Sequence, residues 1–225
     1  MTFSLVARCS QTGMLGVAIA SSSICVASRC PWVRSGVGAS ITQNVTDPSL
    51  GNLMLNYLEE GLNVQEAIDK IIENNKFINY RQLSLIDAKG NSASFTGSKI
   101  LGRHAVSKGV DCIATGNLLS STNVINSMTD NFKKNSNVHF IERLLLALQA
   151  GVDSGGEEGS IHSAGIKVAH ENSWPLVDLR IDWTENNPVT ELIKLWNTYK
   201  PQMEDYKSRA TNPDKAPSYG VSGDL

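Results

Sequence analysis

What most limits the fold of this chain is the order of its segments: strand patterns come in unbroken groups, and helix patterns come in pairs between them. Residues 2 to 46 read as three strands joined by tight turns: Thr2 to Arg8, Leu15 to Ser22 after the Gln11-Thr12-Gly13 turn, and Val37 to Val45. Asp47-Pro48 marks a helix start, and Leu50, Leu53, Met54, Tyr57 and Leu58 recur at helical spacing until Gly61. A second helix carries Val64, Ala67, Ile68, Ile71 and Ile72 on one face. Residues 81 to 97 form a hairpin turning at Ala88-Lys89-Gly90-Asn91, and a strand from Cys112 to Thr115 runs into Gly116-Asn117. Helices from Thr122 to Phe132 and from His139 to Val152 lead into a glycine-rich loop. Strands at Ala164 to Ala169 and Leu176 to Trp183 follow, then a helix from Pro188 to about Tyr199.

Strands, two helices, strands, two helices, strands: this order predicts an α+β fold of two antiparallel sheets stacked face to face, with helices on both outer faces. A parallel Rossmann-type sheet needs strict strand-helix alternation, which is absent. The expected organisation is one domain over residues 1–200 and a polar tail over 201–225 that dangles or wraps the domain or a neighbouring subunit. An apolar fraction of 41% is ample for a core of this size.

A formal net charge of −2, with no Lys/Arg cluster, leaves no electrostatic footprint for nucleic acid or an anionic membrane. No run approaches the ~18 apolar residues of a membrane helix, and a basic-then-apolar secretory signal is missing, so the expectation is a cytoplasmic protein. Cys9, Cys25, Cys30 and Cys112 include no C-x-x-C pair, and the histidines are scattered; reduced thiols, no metal site and no cofactor are expected.

Thr2 follows Met1 and opens the first strand. Removal of the methionine would leave one residue with a hydroxyl and a free α-amine, a nucleophile beside its own base, because an α-amine titrates near pH ~8. Many chains begin Met-Thr without such a role. Between residues 1 and 46 there is no Asp or Glu, and the cations are Arg8, Arg29 and Arg34. Cationic neighbours would keep the amine neutral, although arginines at exposed strand ends give the same pattern.

The runs Thr2-Phe3-Ser4-Leu5-Val6-Ala7-Arg8, Cys30-Pro31-Trp32-Val33-Arg34, Thr42-Gln43-Asn44, Gly116-Asn117-Leu118-Leu119, Gly155-Gly156-Glu157, Ser163-Ala164 and Val177-Asp178-Leu179-Arg180-Ile181-Asp182 resemble the prokaryotic family catalogued as domain of unknown function 1028. So does the ending Ala216-Pro217-Ser218-Tyr219-Gly220-Val221-x-Gly223-Asp224. That family is grouped with the N-terminal-nucleophile hydrolases. The resemblance implies a four-layer αββα sandwich and a nucleophile at Thr2, and it implies no substrate.

On that basis the expected function is hydrolysis of a small amide by Thr2, with a small-molecule substrate and a possible homo-oligomer. The alternative is a non-catalytic ligand-binding or oligomeric structural protein on the same fold. Arg34 lies near the position where related hydrolases place a cation, and could hold a carboxylate bidentately. Gln43 and Asn44, at a strand end, are candidate oxyanion donors; in the alternative reading Asn44 and Asp47 shape the turn into the helix. Asn117 suits either an oxyanion donor or a turn needing positive φ. Ser163 and Glu157 could orient the amine, and Glu157 could equally cap a helix end; His162 reads as a surface histidine.

Overall fold

The computed structural model describes residues 2–222; Met1 lies outside them, as do Gly223 and Asp224 of the C-terminal motif. The first sheet contains β1 (Thr2–Arg8), β2 (Leu15–Ser21), β7 (Ala105–Gly109), β8 (Cys112–Asn117), β9 (Ser163–Ala169) and β10 (Val177–Ile181), in the order β10-β9-β2-β1-β8-β7. The second contains β3 (Pro31–Arg34), β4 (Gly38–Asn44), β5 (Arg81–Asp87) and β6 (Ser92–Thr96), side by side in chain order. Every neighbouring pair is antiparallel. The helices are α1 (Val26–Arg29), α2 (Ser49–Glu59), α3 (Val64–Asn74), α4 (Asn123–Lys134), α5 (Phe140–Asp153), α6 (Pro188–Tyr199) and α7 (Met203–Thr211).

The period-two alternation of the strands sorts their side chains into separate cores. Phe3, Leu5 and Ala7 of β1 join Met128 and Phe132 of α4 and Leu144 and Leu148 of α5 in one cluster. Val6, on the opposite face, joins Leu15, Val17 and Ile19 of β2 and meets Ala39, Ile41 and Ile86 from the second sheet. The outer face of that sheet, with Leu83 and Leu85, is covered by Leu50, Met54, Ile68 and Ile71 of α2 and α3. These cores order the molecule as helices, sheet, sheet, helices. Among the described residues, no helix is long and apolar enough to cross a membrane.

Local chemistry explains the helix boundaries. Asn63 accepts from the backbone of Gln65 and Glu66 at 2.9 and 3.0 Å, and Glu66 returns a bond to Asn63 N at 2.8 Å, so a capping box starts α3. Asn187 caps α6 with Pro188 in its first turn. The polar tail is partly helical: α7 buries Met203, and Tyr206 stacks on Tyr199 with centroids 6.0 Å apart. Arg209 then donates to the carbonyls of Pro217 and Ser218 at 2.9 Å each, folding the tail back beside α7.

Ile41 is fully buried between the sheets. Ile41→Ala should therefore cost about 2–5 kcal/mol, read as a lower urea midpoint at unchanged slope. A loss below about 1 kcal/mol would mean that the two sheets do not share a filled core there.

Candidate active site

Strand register assembles the site. Ser163 of β9 pairs with Ser21 of β2, and Thr2 of β1 pairs with Asn117 of β8. Phe3 pairs with Ala20, so the same register sets Thr2 beside Ser21, and their hydroxyl oxygens lie 3.3 Å apart. Directly opposed residues share a face of the sheet. Ser163, Ser21, Thr2 and Asn117 therefore form a transverse row of polar side chains across neighbouring strands. Thr2 is 5% exposed and the other three are fully buried. Thr2 has the same alternation as Ser4 and Val6, so the row faces the second sheet.

The second sheet meets this end of β1 with amides. Gln43 and Gln82 are register partners on β4 and β5 and are fully buried. Ser4 Oγ donates to Gln43 Oε1 at 2.8 Å, Gln43 Nε2 to Gln82 Oε1 at 2.7 Å, and Asn117 Nδ2 to the same Gln82 oxygen at 3.2 Å. Asn117 Oδ1 has no hydrogen-bond partner among the described residues. An unpaired buried acceptor costs about 1–3 kcal/mol.

The third component is Glu157, on the loop after α5. Gly155 and Gly156, at φ +109° and +57°, turn the chain in the left-handed region that disfavours other residues. Ser120 N then bonds to Gly156 O at 3.1 Å, and Leu119 bridges to Glu157, which draws the loop against the end of β8. The Glu157 carboxylate accepts from Ser22 N, at 3.2 and 3.3 Å to its two oxygens, and is 4% exposed. Burial pushes its pKa up to about 7, while the charge of the chain's amino terminus and the hydrogen bonds from Ser22 pull the other way.

His162, at the rim beyond Ser163, donates its backbone N–H to Ser21 O at 2.9 Å and stacks on Trp183 with centroids 4.4 Å apart. Among the described residues no group of three His, Cys, Asp or Glu side chains is placed to hold a metal ion.

The structure gathers Thr2, Gln43, Asn117 and Ser163 and separates Arg34 and Asn44 from them. Arg34 pairs with Gly38 at the far end of β4, five residues from Gln43, or roughly 17 Å along the strand. There its guanidinium forms an ion pair with Glu59 and donates to Asn52 and Asn56 Oδ1 at 2.6 and 2.9 Å, so α2 takes up the cation that was expected at the site. Arg8 is at the distal end of β1 with Asp111 at 3.0 Å, and Arg29 donates to the carbonyls of Ile24 and Cys25. The ionisable side chain that interacts with the amino-terminal charge from a distant loop is thus the Glu157 carboxyl, while Arg34 and Arg8 are held elsewhere.

Asn44 takes φ +74°, donates to Tyr80 O at 2.8 Å and accepts from Leu101 N at 3.2 Å, which makes it a loop clamp. Positive φ after β8 falls at Leu118, not at Asn117. Ser163 Oγ donates to Ser23 O at 2.5 Å and accepts from Val26 N at 3.2 Å, so it holds the loop after β2. Sequence reasoning missed Ser21 and Gln82 and left Glu157 undecided. The readable signal for Glu157 was the first of two adjacent glutamates behind two glycines after a helix.

The family described as a family of unknown function, DUF1028, matches residues 2–192. Protein SPO2555 from Silicibacter pomeroyi, described as a DUF1028 protein, is 32% identical; the match covers 88% of this chain and 89% of that one with a TM-score of 0.82. More distant is Anbu (ancestral beta-subunit) from Yersinia bercovieri, at 13% identity, coverage of 91% and 97%, and a TM-score of 0.39. An Anbu (Gly-1) mutant from Hyphomicrobium sp. is 10% identical, with coverage of 92% and 100% and a TM-score of 0.42. Among curated proteins nothing matches. With most of its length matched by the family and by a solved relative, the chain belongs to the DUF1028 family.

Proposed function

We propose that the protein is an N-terminal-nucleophile amidohydrolase acting on a small amide, with Thr2 exposed by removal of Met1. One observation carries this reading: the transverse row sets the Thr2 hydroxyl, nearly buried, between a serine hydroxyl at 3.3 Å and a buried carboxamide at the end of the intersheet layer.

In the reaction, Thr2 Oγ attacks the carbonyl carbon while the α-amine takes the hydroxyl proton through a bridging water. The tetrahedral intermediate collapses as the C–N bond breaks, and the leaving nitrogen receives that proton. Water then attacks the resulting ester on Thr2, and the carboxylic acid departs. Ser21, beside the reacting oxygen, is its hydrogen-bond partner throughout. Glu157, whose carboxyl titrates at about 7, balances the charge of the amine. Efficient proton transfer favours groups that titrate near the working pH.

Mass spectrometry of the protein from its native cell should find a chain beginning at Thr2; a retained or acetylated Met1 would end this reading. In a metabolite screen with the trimmed protein, Thr2→Ala should lower turnover of the consumed amide by ~10³-fold or more. Equal turnover in that variant would favour a binding or structural role instead.

Glu157 also makes stability depend on pH. Its folded-state value of about 7 lies above the ordinary 4.5, so the native state holds a proton that the unfolded state has released. That contribution is complete below about 4.5 and is lost as pH rises through about 7. Glu157→Gln should therefore be more stable than the parent at about pH 8, by up to about 3 kcal/mol, with the difference closing at acid pH. Parallel denaturation curves at both pH values check this, and a gap that does not change with pH would contradict it.

A further inference from the structure

The buried amides between the sheets have a fixed sense, and a backbone carbonyl sets it. Gly116 O can only accept, and Gln82 Nε2 donates to it at 3.1 Å. The amide nitrogen of Gln82 is committed there, so its Oε1 must face Gln43 and Asn117, which both present nitrogen to it, at 2.7 and 3.2 Å. Gln43 completes the pattern by turning its own oxygen to the Ser4 hydroxyl at 2.8 Å. Asn117 turns its oxygen away from Gln82, and that fully buried atom has no partner among the described residues. Asn117 thus offers an unspent acceptor at Oδ1 beside the second N–H of its Nδ2, which is the donor an oxyanion would use.

The alternation of β1 supplies a donor. Arg8 N bonds to Asp111 O at 2.9 Å, so even-numbered residues of β1 direct their nitrogens toward β8, and Thr2 is one of them. We infer that Asn117 Oδ1, held in this sense by Gln82, accepts a hydrogen bond from the α-amino group of Thr2 once Met1 is removed. Asn117 and Gln82 are then positioning residues for the amine. The inference rests on the removal of Met1 in the proposed function, and not on any turnover.

The test is the titration of that amine in protein trimmed to Thr2 with a methionine aminopeptidase, followed by competitive acylation across pH with no substrate present. Among the described residues, Glu157 and Cys30 interact with the amino-terminal charge, and His162 interacts with Glu157. All three are common to every variant, so differences between variants isolate Asn117. A hydrogen bond to the ammonium form raises its pKa. Asn117→Leu should lower the amine's pKa by about one pH unit, since such a bond is worth roughly tenfold in an equilibrium, and Asn117→Asp should raise it.

Gln82→Met should lower the pKa in the parent but have little effect in Asn117→Asp, because a carboxylate presents an oxygen in either sense. An unchanged pKa in Asn117→Leu overturns the inference, as does a Gln82→Met effect of equal size in both backgrounds. Should Asn117→Leu fail to fold, an unchanged value in Asn117→Asp is decisive against it. A protein that consumes no amide yet shows these shifts refutes the proposed reaction and leaves the inference standing.

Discussion

Antiparallel register is the constraint on which the rest of the structure depends. Alternation along β1 sends Phe3, Leu5 and Ala7 to the helices and Thr2, Ser4 and Val6 to the second sheet. A slip of one residue would exchange these sets, placing Thr2 among the aromatic and aliphatic side chains of α4 and α5. The large apolar residues on both faces forbid the slip. The same burial that stabilises the sandwich thus fixes where its first hydroxyl points.

Much of the fold was legible because its signals are local. The alternating runs of β1, β2 and β4, the capped helices and the β5–β6 hairpin sit within a residue or two of where pattern and turn chemistry put them. The misses share a cause. β3, at Pro31–Arg34, and α1, at Val26–Arg29, are too short to show a period, and β7 is an edge strand with half-exposed residues. Of the two courses expected for the polar tail, docking rests on Met203 and the Tyr199–Tyr206 stack, single contacts that no periodic pattern marks.

The site was legible at Thr2 and Asn117, which lie on strands whose register the sequence suggests. It was not legible where a side chain is claimed from far away. Arg34 is drawn off by Glu59 on a helix that crosses the outer face, and Glu157 reaches Ser22 across 135 residues of sequence. No local pattern encodes such partners. The buried amides illustrate a further limit: Gln43 and Gln82 sit at positions where most sandwiches place aliphatics, and their value lies in mutual orientation, which only the assembled network defines.

The near-complete burial of Thr2 at the first position of a central strand has a practical consequence. Any polypeptide fused ahead of it would tie up the α-amine in a peptide bond beside the Ser21 hydroxyl. A purification handle belongs at the other terminus, beyond the exposed segment after α7.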